Sequence, residues 1–117
     1  MRIPLPVSPL LPALPDPIAT FFEVSNGADD ALLARCFAGD AVVRDESRVH
    51  EGHEAIRSWL RAAKHKYAYT AQPEAVSGEG AEVTVVAKVA GDFPGSPVRL
   101  SHVFELAGDR ILSLEIR

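Results

Sequence analysis

The sequence is poor in the features that most readily announce a function. It has one cysteine, Cys36, which excludes an internal disulfide and a zinc site built on cysteines. Cys36 sits between Leu33 and Phe37 in an apolar helical stretch with no base beside it in sequence, the setting of a core thiol rather than a nucleophile. A chain without disulfides points to the cytoplasm. No run of about 18 apolar residues is present, so no membrane span is expected. The N-terminal stretch is apolar, but Pro4, Pro6, Pro9 and Pro12 would break the continuous apolar helix of a signal peptide. A basic stripe is missing as well. Twelve Lys and Arg against 16 Asp and Glu give a net charge of −4, a mild acidity that argues against a nucleic-acid surface. The nearest thing to a basic run, Arg57, Arg61, Lys64 and Lys66, has helical spacing and reads as a solvated face.

What is present is a globular average. With 117 residues, 47% apolar and 24% charged, the chain is one domain. Residues 1–15 hold five of the nine prolines and read as an extended segment before a domain over 16–117. Asp16-Pro17 opens a first helix, an N-cap followed by a proline at the first helical position, and Asn26-Gly27 stops it. Asp29 or Asp30 caps a second helix through Phe37, ended by Gly39. Residues 41–45 form a short strand and 47–52 a polar loop. The best helix spans 53–66, with Ile56, Trp59, Leu60 and Ala63 on one stripe. Four strands follow: 67–76, 82–89, 98–106 and 110–116. A Ser-Gly-Glu-Gly turn, a long connection over 91–97 and Gly108-Asp109 separate them. In the third, Val98, Leu100, His102, Phe104 and Leu106 share a face. Helices first and an antiparallel meander afterwards imply an α+β domain.

That order carries several local strings: Asn26-Gly27-Ala28-Asp29, the run from Phe37 to Asp45, Gly52-His53-Glu54-Ala55-Ile56-Arg57, Phe104-Glu105-Leu106 and Gly108-Asp109-Arg110-Ile111. Taken in order over residues 17–117, they resemble the nuclear transport factor 2-like superfamily, which includes ketosteroid isomerases and SnoaL-like polyketide cyclases. The resemblance implies a cone-shaped, curved antiparallel sheet packed on three N-terminal helices, paired as a homodimer through the sheet. It does not name a reaction, because this fold hosts isomerases, dehydratases, cyclases, hydrolases and non-catalytic proteins alike.

By the resemblance, Asp45 aligns with the proton-shuttling carboxylate of ketosteroid isomerase-like enzymes. It shares a strand face with Ala41 and Val43, and a carboxylate in an apolar pocket becomes a better base near neutral pH. Its plain alternative is an exposed strand-end Asp paired with Arg44 or Arg48. The isomerases' helix-borne tyrosine corresponds to Phe21, which cannot donate a hydrogen bond. Ungapped alignment puts Ser101 at the partner acid's position; a last hairpin shortened by one residue puts His102 there, in agreement with the strand's own alternation. Asp45 and His102 could then divide base and acid roles, whereas the plain reading of His102 is a half-buried histidine bonded to backbone or water. Phe21, His50, Trp59, Tyr69 and Phe104 are the candidates for ligand contact, each with ordinary core as its alternative. The Tyr69 hydroxyl could replace the donor missing at Phe21. His50 and His53 have a spacing that can suit a metal, but the further ligands are wanting, and neither metal nor other cofactor is expected.

Two readings of function follow. One is an acid/base enzyme acting on a small apolar molecule by isomerisation, dehydration, cyclisation or hydrolysis. It requires a cavity of roughly 300 Å3 or more lined by both Asp45 and His102. The other is a non-catalytic domain that binds a metabolite or dimerises, with side chains filling the pocket. A protein-interaction module would need an exposed apolar patch.

Overall fold

The computed structural model describes residues 13–117, so most of the expected proline-rich segment lies outside the described residues. Helix α1 runs Asp16–Ser25 with Pro17 in its first turn; Pro15, not the expected Asp16, holds the cap position, and no side chain caps the helix, because Asp16 is already helical. A 3-10 turn, Asp30–Leu32, is capped by Asp29, whose carboxylate accepts from the Ala31 N–H at 2.9 Å. It leads into the short α2, Leu33–Cys36. Strands β1 (Phe37–Asp45) and β2 (Arg48–Glu51) precede α3 (His53–Tyr67), and β3 (Thr70–Glu79), β4 (Glu82–Ala90), β5 (Val98–Ala107) and β6 (Arg110–Ile116) complete the chain. The domain is α+β, with three helices on a curved six-stranded sheet of order β2-β1-β6-β5-β4-β3. Every neighbouring pair is antiparallel except β1 and β6, which run parallel. The sheet is therefore mixed rather than wholly antiparallel: the last strand closes back beside the first, a pairing that local sequence does not encode.

Two differences from the sequence reading have local causes. Helix α2 stops at Cys36, and the strand begins at Phe37 and runs through Gly39. The expected polar loop is instead a hairpin, because Glu46 and Ser47 both adopt left-handed backbone (φ 53° and 64°) and turn the chain in two residues. Neither is the Asn or Gly that usually signals such a turn. β2 then pairs along β1 from Val42–Glu51 to Asp45–Arg48, which sets the position of the hairpin beside the cavity described below.

The core lies between the helices and the concave sheet face. Ile18, Ala41, Val43, Ile56, Val85, Ala87, Phe104, Ile111 and Leu114 are fully buried. Asn26, just past α1, pins that helix to the sheet: its carboxamide donates to the Ala71 carbonyl and accepts from the Ala71 N–H, both at 2.8 Å. At the same end of β3, just before the strand begins, Asp92 N–H donates to the Tyr67 carbonyl at 2.6 Å. Gly91 permits that approach, since a Cβ there would fall 2.6 Å from the Tyr67 oxygen and 2.7 Å from Tyr69 Cα. Gly91→Ala must push backbone against backbone. It is expected to cost about 1–3 kcal/mol, read as a lower urea midpoint.

Candidate functional site

The open end of the fold holds a cavity of about 610 Å3. Asp45 enters it from the end of β1, where the alternation that buries Ala41 and Val43 turns its carboxylate to the same side. Trp59 and Ala63 come from the inward stripe of α3. Tyr69 comes from the link into β3, just after Ala68 takes the left-handed conformation (φ 45°) that ends the helix. Val89, Leu100, His102 and Ile116 form the sheet wall, and Tyr67, Phe93, Pro94 and Val98 the rim.

Asp45 is half-buried, and its Oδ2 accepts a hydrogen bond from the Trp59 indole N–H at 3.0 Å. Burial raises its pKa above the ordinary carboxylate value; the Trp59 bond opposes the rise, the neighbouring Glu46 charge adds to it, and His50 eases it. Neither Arg44 nor Arg48 pairs with it among the described ion pairs. The result is a carboxylate in a mostly apolar cavity with one neutral donor and no salt-bridge partner.

His102 also lines the cavity, but it is not bonded to Asp45. Only 4% exposed, it packs edge-on to Phe22 at 5.2 Å and stacks near Phe104 at 6.4 Å. Its Nδ1 lies 3.3 Å from the Leu100 carbonyl, which can only accept, so Nδ1 donates. Burial pulls its pKa down to about 4, against the pull of the Leu100 and Val85 carbonyls. At neutral pH it is an uncharged imidazole bonded to the backbone.

The other candidates divide. Trp59 and Tyr69 line the cavity; Phe21, Phe104 and His50 do not. Phe21 lies behind the Trp59 ring, stacked at 6.3 Å and 5°, and meets Phe22, Phe37 and Phe104 edge-on. Phe21 and Phe104 are thus the packed floor under the site rather than its surface, because their rings fill the space between α1 and the sheet. His50 sits on β2 with its ring 6.0 Å from Trp59, acting on Asp45 through charge alone. His53 accounts for itself structurally: its Nε2 donates to the Phe37 carbonyl at 2.8 Å. No group of three or more His, Cys, Asp and Glu among the described residues is arranged to hold a metal ion. Cys36 is buried, and burial pushes its thiol up to about 11, which leaves it inert.

Sequence reasoning passed over Glu46 and Phe93 at the rim. Tyr67 donates its hydroxyl to Glu46 at 3.1 Å and meets Phe93 edge-on at 5.8 Å, so three separate elements meet at the mouth. Phe93 stands in a Gly/Pro-rich connection with no periodicity to orient it. Lys64 likewise leaves the solvated face: its ammonium lies 4.4 Å over the Tyr69 ring and donates to the Tyr69 carbonyl. Trp59→Phe would keep the ring contact with Phe21 and delete the N–H. Asp45 is then expected to titrate at still higher pH, followed by NMR of its carboxyl carbon.

A family model for the SnoaL-like domain matches residues 18–114. The chain belongs to the SnoaL-like domain family. A candidate polyketide cyclase from Sinorhizobium meliloti is 42% identical to this SnoaL-like chain. The superposition has a TM-score of 0.85 over 89% of this chain and 95% of that one. A candidate isomerase of the SnoaL-like family from Agrobacterium tumefaciens is 19% identical, with a TM-score of 0.74 over 86% and 92%. A protein of ketosteroid isomerase-like fold from Catenulispora acidiphila, crystallised with trimethylamine, is 19% identical, with a TM-score of 0.77 over 90% and 86%. The last two establish the fold alone. Among curated proteins none matches the SnoaL-like chain.

Proposed function

We propose that this SnoaL-like domain is an acid/base enzyme acting on a small, largely apolar molecule, with Asp45 as the proton acceptor. The observation that carries the reading is the Asp45 carboxylate itself. It is half-buried in a mostly apolar cavity, oriented by the Trp59 N–H and in none of the described ion pairs. Such a group is a stronger base than a solvated carboxylate, and its unbonded lone pairs are available to a ligand. The likeness to the Sinorhizobium meliloti candidate cyclase, at 42% identity, supports the same class of chemistry. His102 takes a different part from Asp45: neutral and tied to the Leu100 carbonyl, it closes the sheet wall.

The test needs no knowledge of the natural substrate. β-Tetralone is a bicyclic ketone of a size suited to the cavity, with an activated C–H beside its carbonyl. Asp45 would remove that proton, the C–H electrons would pass toward the carbonyl oxygen, and in D2O a deuteron would return to carbon. Proton NMR is expected to show deuterium entering the ketone faster with the wild-type protein than with Asp45→Asn. Equal rates would sink the enzyme reading, and binding without exchange would mark the cavity as a non-catalytic ligand site.

A further inference from the structure

Two carboxylates face the cavity, and only Asp45 has a part in the site as described. Asp45 arrives by strand alternation, so the next residue along an extended strand would point the other way. Glu46 instead lines the same cavity, because its left-handed backbone (φ 53°) turns the chain at the end of β1. The Tyr67 hydroxyl then holds its carboxylate at the mouth, at 3.1 Å. Neither carboxylate belongs to an ion pair among the described residues.

The positive side of the balance is thin. Among the described residues Arg117 is the one cation that lines the cavity, and its guanidinium is drawn to Glu115 at 3.1 Å. The side-chain donors of the wall are mostly spent. The Trp59 N–H is given to Asp45, the Tyr67 O–H to Glu46 and the His102 Nδ1–H to the Leu100 carbonyl, which leaves the Tyr69 hydroxyl. Around the carboxylates stand the rings of Trp59, Tyr67, Tyr69 and Phe93. Aromatic faces attract cations, and two of these rings already do so. The Lys64 ammonium lies 4.4 Å from the Tyr69 centroid and that of Lys66 5.0 Å from the Tyr67 centroid, although neither lysine lines the cavity. Burial also disfavours the Asp45 charge, a cost that a cation beside it would offset.

We propose that the ligand of this cavity is an apolar molecule carrying a protonated amine, its ammonium held by the Asp45 and Glu46 carboxylates within the aromatic wall. The proposal deepens the acid/base reading by naming the ligand class, and it rests on that reading only in taking the cavity as the ligand site. An ammonium brings a positive charge and several N–H donors to a wall that offers mainly acceptors and π faces. A ketone would add one more acceptor to a site already rich in them. The cavity of about 610 Å3 leaves room for an apolar frame of bicyclic size beyond the amine. A positive nitrogen also acidifies the C–H bonds beside it by induction, which suits Asp45 as proton acceptor.

Trp59 is the sole tryptophan and lines the cavity, so its fluorescence reports binding directly. The probes are 2-aminotetralin, charged at neutral pH, with tetralin and β-tetralone as uncharged molecules of the same bicyclic frame. Wild type is expected to bind the amine about tenfold more tightly than either neutral probe, the size of one desolvated cation contact. Asp45→Asn should abolish that preference and leave affinity for the two neutral probes unchanged. Glu46→Gln should reduce it about threefold, as befits an exposed charge. Phe93→Leu, which keeps an apolar rim without a π face, should reduce it by about the same factor. No amine preference in wild type, or tighter binding of β-tetralone, overturns the proposal. So does a preference that survives Asp45→Asn. Should that variant not fold, an undiminished preference in Glu46→Gln overturns it equally. Failure of the base shows separately, as amine preference without deuterium exchange into β-tetralone. Exchange without amine preference sinks this proposal alone.

Discussion

Asp45→Asn is expected to slow deuterium exchange into a bound ketone by roughly two to four orders of magnitude, the span associated with a positioned general base. The substitution is close to isosteric. An Asn oxygen can still accept the Trp59 N–H, so the ring contact and the cavity shape are retained while the base is removed. Ligand affinity, read by Trp59 fluorescence, should change far less than the rate. In wild type the rate should rise with pH as the carboxylate ionises, with a midpoint above the ordinary 3.8 of an aspartate because burial outweighs the Trp59 hydrogen bond. Stability carries the same signature. A raised folded-state pKa means that the native chain holds this proton more firmly than the unfolded chain. Stability from this group is thus greatest at low pH and is lost as pH rises through the raised value. Asp45→Asn escapes that loss and should be at least as stable as wild type at neutral pH, measured by urea unfolding. A site tuned for chemistry rather than stability behaves in this way.

His102 should make the fold sensitive to acid. Its pKa is about 4 in the folded chain against an ordinary 6.5, so between those values the unfolded chain binds the proton and the native chain does not. Its contribution is complete above about pH 6.5 and is lost as pH falls toward 4. The difference amounts to about 3 kcal/mol between pH 7 and pH 4, a large share of the stability of a small domain. His102→Gln keeps a donor for the Leu100 carbonyl but does not titrate in this range. Urea midpoints at the two pH values should show the variant losing less stability on acidification than wild type, by about that amount. Equal losses would mean that water reaches the imidazole and burial does not control it. Surface carboxylates contribute to acid unfolding in both proteins, and the comparison cancels them.

Much of the architecture was legible because it is written locally. The Asp16-Pro17 start and the Asn26-Gly27 stop set α1, one apolar stripe set α3, and strict alternation set β5. The boundary errors fall where local signals are mute. Glu46 and Ser47 make a tight hairpin without Asn or Gly, since pairing of β2 along β1 offsets the cost of their left-handed backbone. The β1–β6 pairing joins strands from opposite ends of the chain, and a parallel ladder between such strands leaves no short-range trace. The site shows the same division. Asp45 and His102 share faces with apolar neighbours, so alternation is enough to point both inward.

By itself, then, the sequence determined an α+β domain whose interior receives one carboxylate, one histidine and one tryptophan, because periodicity dictates which side of a helix or strand each residue occupies. Tertiary structure alone decided what each of them touches. The indole of Trp59, and not His102, bonds Asp45; Phe21 and Phe104 are covered by their neighbours and form a floor; Tyr69 reaches the cavity because Ala68 turns the chain and Asn26 holds α1 to β3. Those outcomes depend on distances between elements far apart in the chain, set by how a curved sheet closes over its helices. A pattern of residues specifies facing, but only the packed fold fixes the few ångströms that separate a hydrogen bond from a near neighbour.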